Sequence, residues 1–239
     1  MDEKGEEHNM KLTIRNAALL LPLVVCVGAG AVVPVEIKSM MSNMARNSQE
    51  LKQYTYKQRI ETYYKEELKS SRIDEIHYDV NGERVSIPLA QQKVEEKQRP
   101  VRGPMSRFIS KRVEAKQDEM KDYVERLLAL SSRYMTADAE KMKSAMNDAD
   151  LTVGGGAKGY VRIRFRDFVK NGDLVTMSFD SKSKCPVRIE VESRLDEDPV
   201  SITVMFDQVR NGPHYAGRTV VRSERQQIEV RAYGYDHRL

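Results

Sequence analysis

From Tyr160 to Tyr235 the chain alternates between apolar and polar residues in short runs separated by turn signals. Val161, Ile163 and Phe165 fall on one side of the first run, with Arg162, Arg164 and Arg166 on the other. That period of two is the mark of a half-buried strand. Asn171-Gly172 predicts a type I′ hairpin turn, which needs positive φ at both central residues. The next strand buries Val175, Met177 and Phe179. After Ser181–Lys184 another strand sets Val187, Ile189 and Val191 against Arg188, Glu190 and Glu192. Beyond Asp196–Pro199, the residues Val200, Ile202, Val204 and Phe206 form a fourth inward face. Asn211-Gly212-Pro213 turns the chain into two last strands, 215–223 and 227–235. Each strand keeps one polar face, so the sheet is covered on one side only.

Upstream, Ile37, Met40, Met41, Met44 and Leu51 approximate one face of a helix over 35–52. Three further strands are expected at 54–64, 73–80 and 84–89, the last two joined at Asn81-Gly82. The polar stretch 91–104, with Pro100, Gly103 and Pro104, reads as a linker. In 105–132, Phe108, Ile109, Val113, Met120, Tyr123, Val124, Leu127 and Leu128 recur at steps of three and four, which predicts a helix. Thr136 is placed to cap a second one carrying Ala139, Met142 and Met146. The expected class is α+β: a strongly curved antiparallel sheet, an incomplete β-barrel, covered by helices. The expected domains are a leader and signal segment at 1–31 and one half-barrel at 32–239, with a helical insertion at about 105–149.

The chain has 239 residues, 40 basic against 36 acidic, giving a net charge of +4. This mixed balance is no polybasic signature, and no nucleic-acid partner is expected. Lys11 and Arg15 precede an apolar run over 17–33, and Ala29-Gly30-Ala31 has the small-x-small form of a signal-peptidase site. The pattern predicts export to the periplasm or medium with cleavage after Ala31. The alternative is retention of residues 17–33 as an inner-membrane anchor. Cys26 lies inside that run, so cleavage leaves Cys185 without an intrachain partner.

Gly154 and Gly159 have the separation of a phosphate loop, but Tyr160-Val161 stands where Lys and Ser or Thr are required, and a strand follows instead of a helix. The loop reads as a joint. None of the histidines, His8, His77, His214 and His237, has metal-ligand spacing to another His or Cys. Asp196-Glu197-Asp198 lacks the ligand pattern and glycine of a calcium loop and reads as a solvated turn. The stripe Arg162, Arg164, Arg166 could meet phosphate or lipid headgroups, but cross-strand pairing with Glu190 and Glu192 is the expectation. With no nucleophile elbow, metal motif or carboxylate pair, the chain is expected not to be an enzyme and to use no cofactor or metal.

What remains is a Met-rich and aromatic set on the helices and the inner sheet face: Met120, Tyr123, Leu127, Met142, Met146, Phe165, Met177, Phe179 and Phe206. Methionine is flexible and polarizable, which suits an adaptable apolar cavity; plain core packing is the alternative at each position.

The order of signal segment, helix, long strands, helical insertion and strand meander resembles the periplasmic lipoprotein-carrier (LolA/LolB-like) half-barrel superfamily. The nearest local echo runs from Gly172-Asp173 through the Asp198-Pro199-Val200 strand start and Gly212-Pro213-His214-Tyr215 to Arg231. The resemblance implies an incomplete barrel wrapped on helices with a hydrophobic cavity between them. It implies a partner that is a lipid or lipoprotein acyl chain. The alternative is an envelope interaction or stress-sensing protein with a filled core and no ligand.

Overall fold

The computed structural model describes residues 33–93, 106–135, 150–153 and 159–239. Helix α1 (Val33–Leu51) leads into strands β1 (Thr55–Tyr64), β2 (Glu67–Tyr78) and β3 (Arg84–Lys93). Helix α2 (Ser106–Met135) comes next. Seven strands then follow: β4 (Asp150–Val153), β5 (Tyr160–Arg166), β6 (Leu174–Asp180), β7 (Pro186–Leu195), β8 (Asp198–Gln208), β9 (His214–Ser223) and β10 (Ile228–Arg238). All ten strands form one antiparallel sheet in the order β3-β2-β1-β10-β9-β8-β7-β6-β5-β4. The sheet is open, because β3 and β4 are its two edges. The long-range step is β1 to β10, which joins the N-terminal hairpins to the C-terminal meander.

The alternation seen in the sequence sets the sheet's two faces. Val161, Ile163, Phe165, Val175, Met177, Phe179, Ile189, Val191, Ile202, Val204, Val221 and Val230 are all buried on one face. The helices cover that face. Ile37 and Met40 of α1 and Tyr123, Leu127, Leu130 and Tyr134 of α2 belong to the same core. On α2 those positions follow steps of three and four, the stripe of an amphipathic helix. The core is therefore helix on sheet, the half-barrel class expected above, and the sheet's outer face is polar.

Several local expectations are corrected. The turn at Asn171-Gly172 is not type I′, because only Gly172 has positive φ, at 81°. The β5–β6 loop is longer, and Asp173 closes it by accepting the backbone N–H groups of Phe168, Val169 and Lys170 at 2.6, 2.9 and 3.0 Å. The strand expected from residue 73 begins at Glu67, paired with β1 across a two-residue Lys65-Glu66 turn. Both turn residues have positive φ, 51° and 65°, without the Gly or Asn that would have announced them. Gln91–Lys93, assigned to the linker, ends β3. β4, unanticipated, pairs with β5.

Val187 is not in the buried row. A bulge between Ser178 and Phe179 pairs Phe179 with Pro186, and Val187 is only half-buried. Asp198 is no solvated turn residue: it is 6% exposed and opens β8. The arginine stripe does not oppose Glu190 and Glu192, because β6 lies between; Arg164 pairs with Thr176, and Thr176 with Glu190. The leader and signal segment, the second helix with Met142 and Met146, and most of the Gly154–Gly159 loop lie outside the described residues, as do the side chains of Phe108, Ile109 and Val113.

Candidate functional site

Helix α2 is fixed to the sheet by two polar nodes of the same composition. Tyr123 donates to Asp198 Oδ2 at 3.1 Å or to Ser223 Oγ at 2.9 Å. Tyr134 lies 2.8 Å from both Asp173 Oδ2 and Ser193 Oγ. The tyrosines are eleven residues apart, three helical turns, so they project from one face of α2 about 16 Å apart. Each carboxylate sits just before or at a strand start, and each serine on a neighbouring strand near the same rim of the sheet. Between the nodes, Leu127 is fully buried and Leu130 is 5% exposed.

Both nodes are well satisfied, as buried polar groups must be. Asp198 also accepts Gln226 Nε2 at 2.9 Å and faces Arg225 at 3.4 Å. The Gln226 amide, then the Tyr123 hydroxyl and Arg225, hold its carboxyl below the ordinary carboxylate range. Arg126 reaches the adjacent turn at Asp196, 2.7 Å away. Burial, reinforced by the Asp173 carboxylate and opposed by the Ser193 hydrogen bond, pushes Tyr134 up to about 12. Burial raises Tyr123 as well.

A raised tyrosine pKa means that the folded state favours the neutral phenol. This contribution is complete below the unfolded value of 10 and disappears as pH rises towards 12. Tyr134→Phe is therefore expected to flatten the loss of stability between pH 10 and 12, measured by urea melts across that range.

Helix α1 is held differently. Asn47 accepts the His214 N–H at 2.5 Å and donates to the His214 carbonyl at 2.7 Å, mimicking a strand neighbour. Asn43 donates to the Ser183 carbonyl at 3.1 Å. Burial lowers the His214 pKa.

Beside the Tyr123 node lies an open groove of about 1020 Å³, between α2, the β1–β2 turn and the β9–β10 turn. Its floor includes Tyr64, Met120, Tyr123 and Ile228; its rim carries Lys65, Lys116, Glu119, Asp122, Glu125, Arg126 and Arg225.

The sequence-predicted set divides accordingly. Met120 and Tyr123 line the groove. Leu127, Phe165, Met177 and Phe179 are fully buried beneath α2 and in the sheet. Phe206 is partly buried against the same core. Sequence reasoning missed Tyr134, Asp173, Ser193, Asp198 and Ser223. The available signals were the eleven-residue tyrosine spacing on α2 and an aspartate at the head of two strands.

No protein-family model and no curated protein sequence matches the chain. Solved structures do. The chain is similar to a DUF1329 family protein from Desulfovibrio piger at 8% identity and TM-score 0.41, over 85% of this chain and 92% of that one. It is similar to a LolA superfamily protein from Nitrosomonas europaea at 9% identity and TM-score 0.39, over 83% and 93%. A Vibrio parahaemolyticus domain described as outer membrane lipoprotein-sorting matches at 7% identity and TM-score 0.43, over 84% and 92%.

Proposed function

We propose that this chain is an exported, non-catalytic bacterial envelope protein that holds a lipid or lipoprotein acyl chain between the apolar sheet face and α2. Residues 1–31 direct export, and 32–239 act as one binding domain. The observation that carries the reading is the manner of closure. A broad apolar sheet face is covered by a helix whose buried polar attachments, among the described residues, are two tyrosine–aspartate–serine nodes at the rim, with an exposed Arg126–Asp196 pair beside one of them.

Such a cover can lift as a unit. Each buried acyl CH₂ contributes about 0.8 kcal/mol, so about twelve contribute about 10 kcal/mol. Opening the two hydrogen bonds to carboxylates costs about 3–6 kcal/mol, the two tyrosine–serine contacts about 1–3 kcal/mol and the exposed Arg126–Asp196 pair up to about 1 kcal/mol. The apolar face of α2 is re-covered by the ligand, so the balance favours loading. Met120 and Tyr123, at the groove beside the node, mark the entry side.

A second reading has its own support. Phe165, Met177 and Phe179 are fully buried, as in a filled core serving an envelope interaction protein with no ligand. Uptake of a fluorescent fatty acid separates the two. Under the carrier reading, Tyr123→Phe/Tyr134→Phe, which removes both node hydroxyls without emptying the core, takes up the probe about tenfold faster than wild type. A folded double variant that takes up none, like a wild type that takes up none, supports the filled core.

A further inference from the structure

The outer face of the sheet carries a line of arginines that the lipid reading does not use. Following the strand register across seven strands, one row reads Arg162, Ser178, Arg188, Met205, Arg218, Tyr233, Arg59. Arginine recurs on every second strand, at intervals of about 9–10 Å, over about 29 Å. The row contains no carboxylate. The next row balances Arg164 and Arg231 against Glu190 and Glu61, and the one beyond it Arg166 and Arg222 against Glu192 and Glu229. On the opposite side lie Tyr160, Asp180 and Asp207.

Within the row the guanidiniums are not equivalent. Arg188 pairs with Glu190 at 2.8 Å and Arg59 with Glu61 at 3.1 Å. Arg162 and Arg218 are exposed. Arg218 and Arg59, from the two strands flanking β10, lie over the Tyr233 ring at 5.8 and 4.9 Å. A guanidinium laid against a ring keeps its donor edge available for a carboxylate.

We propose that this row is a docking track for a linear acidic polysaccharide whose carboxylates recur on one side of the chain at every second sugar, a spacing of the same order as two strands. Arg162 and Arg218, four strands and about 19 Å apart, are its principal contacts, at every second repeat of the track; Arg188, midway between them and shared with Glu190, and Arg59 extend it. The row runs across the strands, in the direction in which the sheet curls. A flexible chain can follow that curve, whereas a flat membrane would meet only part of it. The Tyr233 ring is already engaged by guanidiniums, so the row offers no free aromatic platform for bases.

The test is titration of the full chain with an oligogalacturonate at low and high salt. Single-stranded oligonucleotide and phosphatidylglycerol vesicles serve as comparisons, and circular dichroism checks each variant. Wild type is expected to bind the oligouronate, more weakly as salt rises. Arg162→Gln/Arg218→Gln should bind about tenfold more weakly. Arg164→Gln, in the charge-balanced row, should stay within about twofold of wild type. Absence of oligouronate binding at low salt, or an equal loss in Arg164→Gln, overturns the track. Tighter binding to oligonucleotide or vesicles that depends on Arg162 and Arg218 overturns the choice of polysaccharide. None of these outcomes depends on whether an acyl chain is held under α2.

Discussion

Phe179→Ala is expected to lower the unfolding free energy by about 3–5 kcal/mol, the range for deleting a buried aromatic side chain. Phe179 is fully buried on β6, in register with Val161 and Pro186 and part of the core shared with α2. Urea denaturation gives the number. The same site bears on function. An apolar void accepts hydrocarbon, so a folded Phe179→Ala protein should take up fatty acid at least as well as wild type. Phe179→Gln, if it folds, places an amide in the proposed acyl site and should bind poorly. Undiminished ligand binding in that variant would remove Phe179 from the site.

Asp173→Ala should cost a comparable amount, about 3–5 kcal/mol, for a different reason. The carboxylate is 3% exposed and accepts three loop N–H groups as well as the Tyr134 hydroxyl. Removing it leaves the buried Phe168 N–H and Tyr134 hydroxyl without that acceptor, each a desolvation cost of about 1–3 kcal/mol, and frees the half-buried Val169 and Lys170 N–H groups at a smaller cost. Asp173→Asn, which retains one carbonyl oxygen, should lose less. The two nodes also predict a spatial pattern. Hydrogen exchange in Asp173→Ala should quicken in the C-terminal half of α2, near Tyr134, more than around Tyr123. Uniform quickening along α2 would mean that the nodes are not separate attachments.

The strand meander was legible because period-two patterning leaves few other solutions. Val161, Ile163, Phe165, Val175, Met177 and Phe179 all face inward as read. Register is less legible, since a bulge leaves no mark in the residue pattern: strict alternation puts Val187 in the row that Pro186 occupies. Turns built from ordinary residues, such as Lys65-Glu66, escape the sequence because their positive φ values carry no Gly or Asn signature. The polar nodes were missed because an aspartate beside turn residues looks solvated until the packing is known. Tyr134 closes over Asp173, and Tyr123 over Asp198. Sequence spacing places a helix face and a strand face; it does not say which tyrosine reaches which turn. The outer arginine row was hidden for the same reason, being a product of pairing seven strands in register.

The most direct test of the acyl-chain account is native mass spectrometry of the mature chain, purified from a bacterial periplasm without detergent. The account predicts extra mass that disappears on organic extraction and returns when the extracted lipid is added back. A clean apo mass, with no gain on incubation with fatty acid, would contradict it and leave the filled-core interaction protein as the reading to pursue.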